Sequence, residues 1–307
     1  MSLPALLGLM GVLALPSGPG VGVFGHSTGV LGLLSGPDVG VLSHLMGPHP
    51  PAARAGAGAK SAPPGVQAVR YRPVGCVARG PVEARTHGPR RKEVALTFDD
   101  GPSIYTRRFV QMLRAQHAVA TFFMIGEQLS AGYGPILREE LRNGDALGDH
   151  TWTHPDLLTS GGVQSQLQRT KSAITALSGY TPCVFRPPYG TYDSSVVRTA
   201  RSLGLATIMW EVDPSDYARP GVAAIEQRVL AQVRPGSIVL SHDGGGPRGQ
   251  TLAAYPHIIA ALRARGYRFL TVPEMLGLHT IYARCRRDCG EAAISGSPPP
   301  GSIIRAG

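Results

Sequence analysis

Short apolar runs and helically spaced segments alternate along the chain from residue 93 to residue 272. The runs EVALTF (93–98), ATFFMIG (120–126), DALGDH (145–150), CVFRPP (183–188), ATIMWEV (206–212), SIVLSH (237–242) and RFLTV (268–272) predict buried strands. Between them, YTRRFVQMLRAQH, GPILREELRNG, VQSQLQRTKSAITAL, SSVVRTARSLG, VAAIEQRVLAQV and TLAAYPHIIAALRARG space apolar residues three and four apart, as a helix with one buried face does. Gly144, Gly179, Gly204, Gly236 and Gly266 fall at or just past the helix ends, where a left-handed cap suits glycine. Seven strands alternating with six helices predict parallel βα units. An α/β barrel, closed or nearly so, accommodates them best. A doubly wound open sheet is the alternative, and no GxGxxG follows the first strand to favour it. In a barrel, the residues that end the strands converge on one mouth.

Composition divides the chain. Residues 1–92 hold 17 Gly and 12 Pro, close to a third of the segment, which predicts low-complexity chain. They also carry 9 Lys/Arg against 2 Asp/Glu, whereas residues 93–280 carry 17 against 16. A near-neutral body offers no basic stripe for nucleic acid, and nucleic-acid binding is not expected. Residues 1–37, which lack any Asp, Glu, Lys or Arg, read as a signal peptide or N-terminal anchor, although the usual positive start is missing. Residues 38–91 read as a basic Gly/Pro-rich linker able to touch a cell wall or membrane surface, 92–278 as the folded α/β domain and 279–307 as a C-terminal tail. The expected location is extracellular or in the cell envelope, with a monomer as the favoured state. Among Cys76, Cys183, Cys285 and Cys289, the pair Cys285 and Cys289 could bridge if their Cα atoms come within reach, and free thiols are the alternative.

Chemistry gathers where the predicted strands end. The first closes in TFDDGP, with Asp99 beside Asp100, and the third in DHTWTHP, with His150 and His154 four apart. Adjacent carboxylates oppose each other's ionisation unless a cation or a hydrogen-bond network absorbs the charge. Two imidazoles and one carboxylate make a site for a divalent metal with a coordination position open, and zinc suits these donors. The second carboxylate then remains free as a base. Arg186, in RPPYG, would orient that base through a charge-assisted hydrogen bond. His242, in LSHD, could donate a proton to a leaving group, with a carboxylate such as Asp213 raising its pKa. GGGPRGQT (244–251) reads as a loop at the mouth, with a helix starting at Thr251.

Taken in order, TFDDGP, HTWTHP, RPPYG, DPSDY and LSHD resemble the five motifs of the polysaccharide deacetylases, the NodB-homology enzymes of carbohydrate esterase family 4. The resemblance covers roughly residues 92–276. It implies a distorted (β/α)7 barrel and removal of acetyl groups from N-acetylglucosamine polymers or from acetylated xylan. By similarity Asp99 is the base, Asp100, His150 and His154 hold the metal, Arg186 orients the base, and His242 is the acid tuned by Asp213. The backbone N–H of Tyr189 would help hold the oxyanion, and Leu240 would line the acetyl pocket. Tyr217 stands where the family usually has Trp, which bears on substrate preference; Trp152 and Trp210 could stack on sugar, though Trp210 suits core packing better. An N-deacetylase of peptidoglycan or chitin-type glycan leads, followed by an acetylxylan O-deacetylase. A silent glycan-binding barrel would have no need of a base and an acid together, and a two-carboxylate glycoside hydrolase expects its carboxylates on separate strands.

Overall fold

A computed structural model of the protein describes residues 70–285, 294–295, 298 and 301–305. The elements in chain order are β1 (Arg70–Val77), β2 (Glu93–Gly101), α1 (Thr106–Ala115), β3 (Ala120–Met124), α2 (Gly134–Asn143), β4 (Ala146–Asp149), α3 (Val163–Ser178), β5 (Val184–Phe185) and α4 (Ser194–Ser202). They continue with β6 (Ala206–Thr207), α5 (Val222–Gln232), β7 (Ser237–Val239), α6 (Gly249–Ala264), β8 (Arg268–Phe269), α7 (Val272–Met275), β9 (His279–Arg284), β10 (Ile294–Ser295) and β11 (Ile303–Arg305).

Seven parallel strands in the order β6-β5-β4-β3-β2-β7, with β8 also paired to β2, curve into a half-barrel. β2 is buried along nearly its whole length, as a strand covered on both faces must be. Its Phe98 packs against Phe109 of α1, Phe122 of β3 and Tyr255 of α6, with ring centroids 4.8, 5.3 and 4.8 Å away. Burying each such ring contributes about 2–3 kcal/mol. α1 buries Thr106, Phe109, Val110 and Leu113, the stripe its spacing predicts. Gly144 and Gly179 close α2 and α3 in the left-handed region, at φ 98° and 74°.

Three expectations are corrected. Residues 70–91 are folded chain, and seven of the nine Lys/Arg in residues 1–92 lie between Arg70 and Lys92. Residues 85–88 lie between the last strands of the barrel, where Arg85 bridges Ile208 in parallel and His87 bridges Ser237 antiparallel. Arg85 N–H donates to Thr207 O at 2.9 Å and Gly88 N–H to Gly236 O at 2.8 Å. With that insert in place, the expected strand 206–212 pairs in the ladder only as β6, and Val212 bridges β7 at Val239 further on.

The C-terminal tail, in turn, contributes β9, β10 and β11 to a second sheet, ordered β10-β1-β9-β11. This sheet is tied to the barrel by a disulfide between Cys76 and Cys183, 107 residues apart. Cys285 is disulfide-bonded too, and Cys289, its suggested partner, lies outside the described residues. Finally, RFLTV stops as a strand at Phe269, because Thr271 caps α7 in a capping box with Glu274 and Pro273 occupies its first turn. The apolar segment 1–37 and the linker up to residue 69 also lie outside the described residues. Among the described residues, no helix is long and apolar enough to cross a membrane.

Candidate active site

Strand alternation would send adjacent residues to opposite faces of a sheet. Asp99 and Asp100 escape that rule through a β-bulge. Asp99 pairs with Phe123 and Gly101 with Met124, which leaves Asp100 without a partner on β3. Asp100 takes φ 69°, and the bulge turns its side chain toward the mouth beside that of Asp99. Thr151, His154, Tyr189 and Ser215 also hold positive φ, at 68°, 55°, 58° and 54°. Such strain gathers where the surrounding structure holds a site in place.

The loop after β4 presents the two histidines. Asp149 Oδ1 accepts the Thr151 N–H at 2.9 Å, and Thr151 Oγ1 accepts the His154 N–H at 3.1 Å, which locks the turn. The imidazoles come together with ring centroids 4.9 Å apart. Nε2 of His150 and Nε2 of His154 lie 3.5 and 3.3 Å from Asp100 Oδ1. His150 Nδ1 lies 2.7 Å from the Arg186 carbonyl; with Nδ1–H donating there, Nε2 keeps its lone pair for the site.

Asp100, His150 and His154 form a group that could hold a metal ion, with ligand atoms all within 4.8 Å of one another. Asp100 Oδ1 supplies the fit test, being buried without a hydrogen-bond partner while two imidazole nitrogens face it. An orphaned buried carboxylate oxygen is costly unless a cation takes it. Burial would raise the Asp100 pKa, but His150, His242 and His154 outweigh it and hold the carboxyl well below the usual range. Burial, then the neighbouring His150, lowers His154 despite Asp100 and Asp99, which favours the neutral imidazole that a ligand needs.

Asp99 is held from the other side. The fully buried Arg186 donates from Nη1 to Asp99 Oδ1 at 2.8 Å and to Thr97 Oγ1 at 2.6 Å. Its Nη2 donates to Met209 O at 3.1 Å, and its guanidinium lies 4.3 Å from the Phe123 ring centroid. The Thr97 hydroxyl in turn donates to Val239 O at 2.6 Å. Thr97 sits two residues before Asp99 and therefore on the same strand face, a signal that alternation could have supplied.

The proton-donor side corrects one assignment. His242, which bridges Asp99 in parallel, has Nδ1 2.7 Å from Asp216 Oδ1, and its backbone N–H donates to Asp216 Oδ2 at 3.0 Å. Thr251 Oγ1 donates to the same Oδ2 at 2.8 Å. Asp213 instead accepts the Ser215 N–H at 2.6 Å and shapes the turn that delivers Asp216. Burial would lower the His242 pKa, but the Asp216 hydrogen bond and charge, with Asp99 and Asp100 behind, raise it above the ordinary value. DPSDY offers two carboxylates, and Ser215 in the left-handed region decides which one arrives.

Tyr217 is 53% exposed, with its ring edge-on to His242 at 5.7 Å, and Tyr189 is 68% exposed, edge-on to His154 at 4.7 Å. Leu240 is buried in the run leading to His242. Trp152 is half-buried. Its ring packs against Gly126 and lies under the Arg169 guanidinium, 4.2 Å from the centroid. Asp243 went unread in the sequence. It is fully buried against Gly101 and accepts from Thr106 Oγ1, and burial pushes its carboxyl up to about 7.

The family profile described as polysaccharide deacetylase matches residues 86–208, from the barrel-closing insert to β6. A peptidoglycan-N-acetylglucosamine deacetylase of Bacillus cereus is 38% identical over 196 residues, covering 60% of this chain and 88% of that protein. A chitooligosaccharide deacetylase of Sinorhizobium fredii is 38% identical over 201 residues, covering 61% of this chain and 93% of that one. Among solved structures, a peptidoglycan N-acetylglucosamine deacetylase in complex with an N-oxidanyl-benzamide ligand superposes with a TM-score of 0.61 at 32% identity, over 63% of this chain and 92% of that one. Fold, motif order and similarity over 88% and 93% of the length of two named deacetylases agree, and the chain belongs to the polysaccharide deacetylase family.

Proposed function

We propose that the protein is an exported, metal-dependent N-deacetylase acting on N-acetylglucosamine residues of a polysaccharide, with peptidoglycan or chitin-type oligosaccharide as substrate. The observation that carries this reading is one mouth holding two differently supported proton carriers. Asp99, beside the metal triad, is clamped by Arg186, and His242, on the neighbouring strand, is clamped by Asp216. Asp100, His150 and His154 would hold the ion, and N2O donors with a deprotonated carboxylate favour zinc. When bound, the ion would polarise the acetyl carbonyl and lower the pKa of water.

Within the protein, Arg186 keeps Asp99 oriented to take the proton of the attacking water. The N–H of Tyr189, on a turn held at φ 58°, would stabilise the developing oxyanion. His242, kept charged by Asp216, hands its proton to the departing amine, and because Asp216 holds Nδ1, Nε2 is the nitrogen left to donate it. Tyr217 and Tyr189 offer exposed rings on which sugars can stack. The Cys76–Cys183 disulfide supports an oxidising compartment and hence export. Cations at residues 70–92 would bear any contact with an anionic envelope surface.

Acetate release by the full chain from N-acetylglucosamine oligomers and acetylxylan, with chelator and with added zinc, tests the reading. Zinc-restorable release from the oligomers is expected. Release from xylan alone would make the enzyme an esterase, and bound zinc without release from either substrate would favour a silent glycan-binding barrel. Asp99→Asn is expected to keep zinc but lose at least about 100-fold in turnover, as removal of a general base does. His150→Ala is expected to lose both zinc and turnover.

A further inference from the structure

The glycine-rich loop after His242 passes directly against Asp100. A Cβ on Gly244 would lie 1.8 Å from the Asp100 carbonyl oxygen, and one on Gly245 would lie 2.3 Å from Asp100 Oδ2. Bare backbone at these two positions therefore forms the wall on which the carboxylate rests. With Oδ2 against that wall, Oδ1 is the oxygen that faces Nε2 of His150 and His154.

Arg248 holds the wall. It is 4% exposed, its Nε donates to Gly244 O, and its Nη2 donates to Gly245 O at 3.1 Å. These are the carbonyls of the same two glycines. The point where Gly245 would carry a Cβ is also 3.2 Å from Arg248 Nη2, so guanidinium and carboxylate flank one stretch of backbone. The same turn of α6 reaches the proton-donor side, where Thr251 donates to Asp216 and Gln250 Oε1 accepts the Gly221 N–H at 2.8 Å. A buried arginine donating to two consecutive carbonyls fixes a glycine loop that would otherwise have many conformations.

We infer that Arg248 is a positioning residue for the metal-binding carboxylate, acting through Gly244 and Gly245 to hold Asp100 Oδ1 toward the two histidines. This rests on the proposed metal site. Two mechanisms predict opposite signs when Arg248 is removed. A guanidinium close to a divalent cation repels it, so an arginine acting only through its charge would weaken zinc binding, and its loss would tighten it. An arginine acting by positioning strengthens zinc binding, and its loss weakens it, as removal of supporting groups around metal ligands does, by about tenfold or more.

The test is zinc affinity of the full chain, read by competition with a chromophoric chelator, alongside the melting temperature of the zinc-free protein. Arg248→Met is expected to bind zinc at least about tenfold more weakly, with turnover largely recovered at saturating zinc. Arg248→Lys, which keeps the charge and one donor, is expected to fall between Arg248→Met and the wild type. Gly245→Ala leaves Arg248 in place but sets a Cβ against Asp100 Oδ2, and it is expected to weaken zinc binding as well; it also serves as the second variant if Arg248→Met does not fold. Unchanged or tighter zinc binding in Arg248→Met, or in Gly245→Ala if only that variant folds, overturns the role of Arg248. Absence of zinc binding by the wild type overturns the metal-site reading itself and this one with it.

Discussion

Replacing Asp216 by Asn should shift the pH dependence of the enzyme, whereas replacing Asp213 should not. Asp216 is 1% exposed, and its Oδ1 lies 2.7 Å from His242 Nδ1. A buried hydrogen bond to a charged partner is worth about 1.5–3 kcal/mol, and each 1.4 kcal/mol is a factor of ten. His242 must carry a proton to serve as the acid, so activity falls as pH rises through its pKa. Asp216 holds that pKa above the ordinary value against the opposing effect of burial. In Asp216→Asn, burial is opposed only by the more distant charges of Asp99 and Asp100, and the alkaline limb of kcat/KM moves to lower pH. At pH 8 the variant is expected to lose about 10- to 100-fold in kcat/KM, with the two profiles converging toward acid pH, where His242 is charged in both proteins. Asp213→Asn, which alters a turn bond to Ser215, is expected to leave the limb in place. The assay is acetate release against pH, with circular dichroism to confirm folding. A shifted limb in Asp213→Asn with an unshifted one in Asp216→Asn would refute the assignment.

Two further predictions concern stability. Glu140 is fully buried with neither carboxylate oxygen hydrogen-bonded, and burial, with Asp243, Asp145 and Glu139 nearby, raises its pKa well above the usual range. Its protonated form therefore stabilises the fold below the unfolded-state pKa, and that contribution is lost as pH rises toward the raised value. Glu140→Gln does not titrate, so its melting temperature is expected to match the wild type near pH 4.5 and exceed it by at least about 3 °C at pH 8. A gap that does not change with pH would contradict this. Replacing Cys76 and Cys183 together by Ser is expected to cost about 2–4 kcal/mol and roughly 5–15 °C in melting temperature by calorimetry, because the bridge closes a long loop. An unchanged melting temperature would show that the bridge adds nothing to stability.

The alternating βα pattern was open to a reader of the chain, because parallel strands buried on both faces and helices with one buried face impose local signals of period and length. The five motifs at strand ends were legible for the same reason, since a barrel brings strand termini together whatever their spacing in the chain. Asp100, His150, His154, Arg186 and His242 could thus be named before their geometry was known. Sequence could not say that Asp99 and Asp100 share a face, because strand alternation predicts the opposite and a one-residue bulge at φ 69° reverses it. Nor could it choose Asp216 over Asp213, a choice made by the left-handed turn at Ser215. The strand β1, the barrel-closing insert at 85–88 and the Cys76–Cys183 bridge lay hidden in Gly/Pro-rich chain whose composition resembles a linker. Their order comes from partners far away in sequence, at Ile208, Ser237 and Cys183, and local pattern carries no record of a partner that distant.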